Sequence, residues 1–413
     1  MRRSIVCVLL FAPGLSAPAR AQLSGYLSAG YGPNSNPLYN YETWSDQVAQ
    51  TYLDLGYTEE TPSRRLRVGY VNGLVLFNRI AERNYLQHDL RLWYGWAPGV
   101  EDEPREEEDP LPFDGASLPG GSLELKAGAR HDRSAFREFD NYAAELTGGY
   151  RVPLPVLGVL RLEALAGYRR YVSLDPLSNL VGSLTAGVGS PPGKGWQVGL
   201  SAVTALKHYT SSVYDTTVFE PQRTFVWKAS GKGKGGARIR VPSEKRILVN
   251  AEVNATVQLA GLLTGSYAWE GGSAGADLGY RYNPGATGRY ISQVTNSEFL
   301  NEDIYHDYFA YEGPELTLRT RQVLPEGISA VLTLQAGRKR FHAPAHALSG
   351  VQTADHRADR RFSAELYLDR YFGLSADFGL SVAGSASLLR NESNDMYNDF
   401  SVAAFSLFVG VGF

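Results

Sequence analysis

Seven histidines, His88, His131, His208, His306, His342, His346 and His356, are the side chains of this sequence best suited to proton transfer near neutral pH. Three of them precede an aspartate directly, at His88-Asp89, His131-Asp132 and His306-Asp307. A dyad needs its members within hydrogen-bond reach, and neighbours on an extended strand point to opposite faces. Such pairs cannot act together while extended, so no catalytic residue is assigned and no enzyme is expected. His342, His346 and His356 are spaced by four and ten, and no helix justifies those spacings as a ligand set. No metal and no cofactor is expected.

A different chemistry lies in charges that recur at every second position. Over 316–323 one face carries Thr317, Arg319, Arg321 and Val323, and over 360–372 it carries Ser363, Glu365, Tyr367, Asp369 and Tyr371. The next segment begins that face with Ser375 and Asp377. If these faces line a wet interior, Arg319, Arg321, Glu365, Asp369 and Asp377 are the candidate ligand-binding residues. Arginines on one wall would stand two strands from acids on another. That geometry suits lumenal ion pairs, bracing of the wall, or a transverse field that orients small solutes.

The elements that would position these charges read as strands. From Leu374 to Leu388 the apolar set Leu374, Ala376, Phe378, Leu380, Val382, Gly384, Ala386 and Leu388 alternates with Ser375, Asp377, Gly379, Ser381, Ala383, Ser385 and Ser387. That is period two, the signature of a strand with one apolar and one wet face. The same alternation runs through Leu160 to Tyr168, Trp196 to Ala202 and Ile247 to Val257, and from Phe400 to the C-terminus as "FSVAAFSLFVGVGF". No helical period competes with it.

Composition narrows the class further. The chain holds 44 Gly, 25 Tyr and 17 Phe with only 2 Met, and its formal charge is −3. No apolar run approaches the roughly 18 residues that a membrane helix requires. Basic residues are dispersed, so no nucleic-acid partner is expected. At the N-terminus, Arg2 and Arg3 precede the apolar run "IVCVLLFAPGL" and the small-residue site Ala19-Arg20-Ala21. This pattern is a secretory signal over residues 1–21, cleaved before Gln22. The one cysteine, Cys7, leaves with it, so the exported chain has no thiol and forms no disulfide.

Soluble strands average about 5 to 6 residues, whereas the 374–388 alternation exceeds the roughly 9 to 11 that cross a bilayer at a tilt. Arg161, Glu163, Glu252 and Glu365 on the polar faces would be costly in a sandwich core and are ordinary in a watery lumen. Strands in hydrocarbon must close into a barrel, because an open edge leaves its amides unpaired. The expectation is an all-β, antiparallel, up-and-down transmembrane barrel over residues 22–413. Eighteen candidate strands run from 22–31 to 399–413, among them 222–241, 245–258 and 261–269. The tight turn at Leu259 to Gly261 and the glycine-broken "ASGKGKGGARIRV" are the weak joints, and misreading either reduces the count to sixteen. Short Pro- or Gly-rich turns then fall on the periplasmic side and long polar loops outside.

The chain therefore resembles the single-chain outer-membrane β-barrels of Gram-negative bacteria, with a fainter likeness to the barrel of surface lipoprotein assembly modifiers. The motif that carries the resemblance is the terminal Phe413 with Val411, Val409, Leu407 and Phe405 at alternate positions before it. In that family this pattern is the signal read by the barrel assembly machinery. The resemblance implies an outer-membrane location, with membrane lipids, lipopolysaccharide and the assembly machinery as partners, and it leaves the oligomeric state open. It also implies a porin-like passive channel for small solutes, the alternative being a non-conducting barrel that serves as surface anchor, receptor or assembly factor through its outer loops.

Two features remain beside that expectation. Residues 101–112, "EDEPREEEDPLP", read as a solvated excursion between strands, or as a periplasmic docking or cation-attracting segment. The phrase Ser-Asn-x-x-Tyr-Asn occurs at Ser35–Asn40 and again at Ser393–Asn398, after the first strand and before the last. In a closed barrel those two loops would emerge as neighbours, with Tyr39 and Tyr397 placed for the outer aromatic girdle.

Overall fold

The computed structural model describes residues 20–37, 39, 45–61, 63–98, 119–132, 140–155, 158–190, 195–211, 216–228, 237–250, 253–285, 290–295, 308–347, 352–375 and 378–413. The strands in chain order begin with β1 (Arg20–Asn34), β2 (Asp46–Glu60), β3 (Arg64–Phe77), β4 (Tyr85–Trp96), β5 (Gly120–Asp132) and β6 (Asn141–Leu154). They continue with β7 (Gly158–Tyr171), β8 (Asn179–Gly189), β9 (Gly195–Tyr209), β10 (Thr216–Lys228), β11 (Ala237–Asn250), β12 (Ala255–Trp269) and β13 (Gly272–Tyr282). The last six are β14 (Tyr290–Thr295), β15 (Tyr311–Val323), β16 (Ser329–His346), β17 (Gln352–Gly373), β18 (Gly379–Ser393) and β19 (Phe400–Gly412).

Sixteen of these close into one antiparallel barrel, each pairing with its neighbours and β1 pairing with β19. The other three, β10, β11 and β14, form a separate sheet. Closure is what the alternation demanded, and the smaller of the two expected counts is the one observed. The physical reason lies in one strand. β12 runs unbroken through Leu259, Ala260 and Gly261, paired throughout with β9 and β13, so the expected turn there does not exist. The segment expected at 222–241 and the first part of that expected at 245–258 instead supply the β10–β11 hairpin, which pairs with β14 and not with the wall, while residues 255–258 begin β12. Val253 and Asn254 lie between β11 and β12, outside any strand.

One end of the barrel holds Arg20 and Phe413 and mostly short links, such as 61–63, 270–271 and 324–328. The opposite end carries the long ones, including 210–254 with the β10–β11 hairpin and 283–310 with β14. This is the asymmetry of periplasmic turns and outer loops. The acidic run 101–109, within the link from β4 to β5, lies outside the described residues, as do residues 1–19. β1 begins at Arg20, two residues ahead of the expected cleavage point.

The two faces separate as the pleat requires. Leu27, Leu184, Leu200, Leu278, Leu388 and Leu407 all point outward and are 52–67 % exposed. An apolar exterior this extensive is unstable against water at about 25 cal/mol per Å² and matches hydrocarbon. Closure leaves no edge strand whose amides would face lipid unpaired. The barrel strands range from 11 residues in β8 to 22 in β17, long enough for a tilted crossing with overhang at the outer end.

Candidate functional site

The candidate functional surface is the lumen, whose lining follows from strand parity. On β15 the outward positions are Leu316 and Leu318, so Thr317, Arg319, Arg321 and Val323 point inward as expected. On β17 the outward set is Phe362, Leu366 and Leu368, which turns Glu365, Tyr367, Asp369 and Tyr371 to the lumen. Asp377 lies outside the described residues.

The expected pairing of β15 arginines with β17 acids is not the one formed. Arg319 reaches Asp277 on β13 at 3.5 Å, one strand away on the other side. Glu365 stands opposite Thr333 and Ser387, and Asp369 opposite Ser329 and Ala383, so both acids sit among small neighbours. The reason is distance. β16 separates β15 from β17 by two inter-strand spacings, about 9.5 Å, whereas β13 is adjacent.

The lumenal charges that sequence reading missed are those on strands not traced residue by residue. Lys126 on β5 lies 3.2 Å from Glu124 and 3.4 Å from Glu145 of β6. On β13 and β15, Arg281 binds Glu315 at 3.2 Å, and Glu315 also accepts from the Tyr311 hydroxyl at 2.8 Å. Lys339 of β16 completes that group at 3.8 Å and stacks its ammonium over the Tyr311 ring at 4.1 Å. Parity alone would have found Asp277 and Arg281, since both fall on the inward face of their alternation. Acids and bases are thus interleaved within each wall. These pairs sit at partly exposed sites, where such contacts are weak and reversible.

Near the outer end of β15 to β18 the lining turns dense. Tyr311, Phe341 and Asp359 are at most 3 % exposed, and Arg357 lies over the Phe341 ring at 4.0 Å while its guanidinium pairs with Asp359. Asn391 and Ser393 of β18 donate to the same carboxylate at 3.2 and 2.7 Å. This hydrogen-bonded network braces one side of the outer mouth.

The histidine–aspartate pairs separate across the wall. The His88 ring sits outside, with Nδ1 2.7 Å from the Tyr70 hydroxyl and 3.1 Å from the Asn72 amide, while Asp89 accepts from Gln87 at 3.0 Å inside. His131 packs edge-on against Tyr142, and Asp132 takes Arg83 and Arg130. His306-Asp307 lies outside the described residues. His342 and His356 have ring centroids 5.9 Å apart, but His346 turns away to Asp395 at 3.3 Å and to the Tyr397 ring. Burial and then the Asp395 carboxylate raise the Tyr397 phenol above its ordinary pKa.

Phe413 and its alternating partners also have a place in the wall. Phe405, Leu407, Val409, Val411 and Phe413 all point outward and are 44–57 % exposed. The Phe413 amide donates to the Gly25 carbonyl at 2.9 Å, and the Gly25 amide returns a bond to the Phe413 carbonyl at 2.8 Å.

Fold and site together define a closed sixteen-stranded barrel with an apolar exterior and a charged lumen. No protein-family profile matches the chain, and no curated protein matches it in sequence. Among solved structures it is similar to Acinetobacter baumannii OccAB3, with 11 % identity over 95 % of this chain and 99 % of that one and a TM-score of 0.47. It is likewise similar to Pseudomonas aeruginosa OccK2 (OpdF), with 11 % identity, coverage of 96 % and 97 %, and a TM-score of 0.44. Pseudomonas aeruginosa OprD aligns at 12 % identity, with coverage of 96 % and 97 % and a TM-score of 0.43.

Proposed function

We propose that the chain is exported by its N-terminal signal, inserted into the outer membrane of a Gram-negative cell, and acts there as a porin-like passive channel for small solutes. One observation carries this reading: a closed wall of sixteen strands whose inward face carries ion-paired charges on several strands, from Lys126 and Glu145 to Asp277 and Arg319. Barrels of that strand number are wide enough to leave an aqueous path. Insertion would place the barrel among outer-membrane lipids and lipopolysaccharide, after handling by the assembly machinery. No residue is given a catalytic role.

The density at the outer mouth, where Tyr311, Phe341, Arg357 and Asp359 are buried, favours a second reading in which the lumen does not conduct and the outer loops act as anchor or receptor. Planar-bilayer recording of the purified protein separates the two. Stable ohmic steps are expected. Their absence, in protein shown to be folded by heat-modifiable mobility, would replace the channel with the anchor.

A further inference from the structure

The barrel's exterior is apolar over most of its height, but at the outer end of β15 to β18 it turns cationic. Arg338 of β16 and Arg360 of β17 are both exposed and stand directly opposite each other in the ladder. Arg340, two positions further out on β16, faces the same way, and Arg390 of β18 faces outward opposite Phe362. Among the described outward positions at this end, arginine otherwise occurs only at Arg170, across the barrel.

Beneath the arginines lies a groove of about 510 Å³, floored by Leu278, Leu316, Ala336 and Phe362. The floor is the upper margin of the apolar belt, and Arg338, Arg360 and Arg390 form the rim together with an acid, Glu392. Gly313 lets β15 approach closely here. At its φ of 140° a Cβ would lie 2.0 Å from the Arg338 carbonyl oxygen, so any other residue would force β15 and β16 apart here.

The acids nearby neutralise only part of this charge. Arg390 is held by Asp399 at 2.9 Å and lies 3.9 Å from Glu392. Glu392 stands opposite Arg360, and Glu312 opposite Arg340, without forming an ion pair with either. Arg338 and Arg360 have no acidic partner among the described residues. Like charges directly opposite in a sheet are destabilising, so this pair calls for an anion from outside the chain.

We propose that this groove seats a phosphorylated acyl lipid of the outer leaflet, with its phosphate between Arg338 and Arg360 and an acyl chain along Leu278, Leu316 and Phe362. Guanidinium groups bind phosphate through paired, charge-assisted hydrogen bonds, and basic pockets at the headgroup level select anionic lipids. The apolar floor distinguishes a lipid from free phosphate, which has no use for it. The site rests on the membrane placement proposed above and is independent of whether the lumen conducts.

The test uses the full barrel in neutral-lipid nanodiscs, with native mass spectrometry counting bound lipid. The probes are a phosphorylated, acylated glucosamine disaccharide, its dephosphorylated form, and inorganic phosphate. Wild type is expected to prefer the phosphorylated lipid by about tenfold, the equivalent of one charge-assisted contact. The double variant Arg338→Gln/Arg360→Gln loses that preference, and Arg170→Gln keeps it. Equal binding of both lipids by wild type overturns the proposal without any variant, as does retention of the preference in a folded double variant. Displacement of the lipid by equimolar phosphate would reduce the site to a headgroup anion site and overturn the acyl part. Failure of the barrel to insert into nanodiscs would instead overturn the membrane placement.

Discussion

The side-chain amide of Asn36 donates to the backbone carbonyl of Ser401 at 3.3 Å, across the line where the first and last strands of the barrel meet. Ser35 beside it bonds twice to Ala403, its amide to the carbonyl at 2.9 Å and its hydroxyl oxygen accepting from the amide at 2.8 Å. The second Ser-Asn phrase does a parallel job one hairpin away. Asn394 accepts from the Ala358 amide at 2.8 Å and donates to the His356 carbonyl at 2.9 Å, tying the end of β18 to β17. In each case the asparagine side chain imitates a peptide group and prolongs a ladder beyond its last strand residue. Tyr39 packs edge-on against Phe400, the buried first residue of β19, so the first loop meets the start of the last strand and the second phrase bonds to β17. Tyr397 packs on His346 instead.

Asn36 is fully buried, so Asn36→Ala should cost about 1 to 3 kcal/mol, the penalty for stranding the groups it serves. Asn394→Ala, at an exposed position, should cost less. Urea titration of the refolded barrel in detergent compares the two, and a larger loss at Asn394 would contradict the assignment.

Asn34 and Ala404 are ladder partners across the closing line. With Cys7 replaced, the double variant Asn34→Cys/Ala404→Cys should crosslink under mild oxidant and change the mobility of the denatured, unreduced chain. A pair placed at Asn36 and Asn394, which bond to different strands, should crosslink less. Absence of the first crosslink in folded protein would count against closure between β1 and β19.

Leu184 lies at the middle of β8 and points outward, while Thr185 next to it faces the lumen. Leu184→Arg should destabilise by roughly 2 to 4 kcal/mol if it meets the bilayer midplane, and Thr185→Arg by much less. Folding titrations into lipid vesicles give both values. Equal costs would show that the two faces are assigned wrongly.

Arg319 is paired to Asp277, and Arg321 has no acidic partner among the described residues. Replacing both arginines with glutamine should shift ion preference toward cations, because the wall keeps Asp277, Glu365 and Asp369. The reversal potential in a salt gradient reads the change. An unmoved value would exclude these side chains from the ion path.

Phe413→Asp should reduce the yield of heat-modifiable barrel in cells far more than a charge placed in an outer loop. The basis is the terminal alternation that the resembled barrels use as an assembly signal, and the ring's exposed outer position against Phe378 at 6.1 Å. An unchanged yield would dissociate this strand from assembly.

Much of this fold was legible because lipid imposes the alternation that sequence reading detects. β18 and β19 show it cleanly, and their faces agree with the exposed Leu388, Leu407 and Val411. Where the chain leaves the bilayer the signal fades. β16 runs on to His346 and β17 begins at Gln352, through residues that read as a polar loop, because outside hydrocarbon neither face needs to be apolar. Period two also marks a strand without saying which sheet it joins, so the β10–β11 hairpin passed for wall. The lumenal candidates were legible by parity, but their partners were not, since pairing depends on which strand is adjacent.

The closing line joins residues 368 positions apart, as Ser35 and Ala403 show. Every other seam in the wall between strands consecutive in sequence can zip as a local hairpin, at small entropic cost for each loop closed. This one must wait. Until β19 arrives, β1 presents an open row of amides and carbonyls to whatever is nearby, and contacts of such long sequence separation form slowly. A chain built this way spends its most aggregation-prone interval at the end of its assembly. The reciprocal bonds between Gly25 and Phe413 are the moment at which that interval ends.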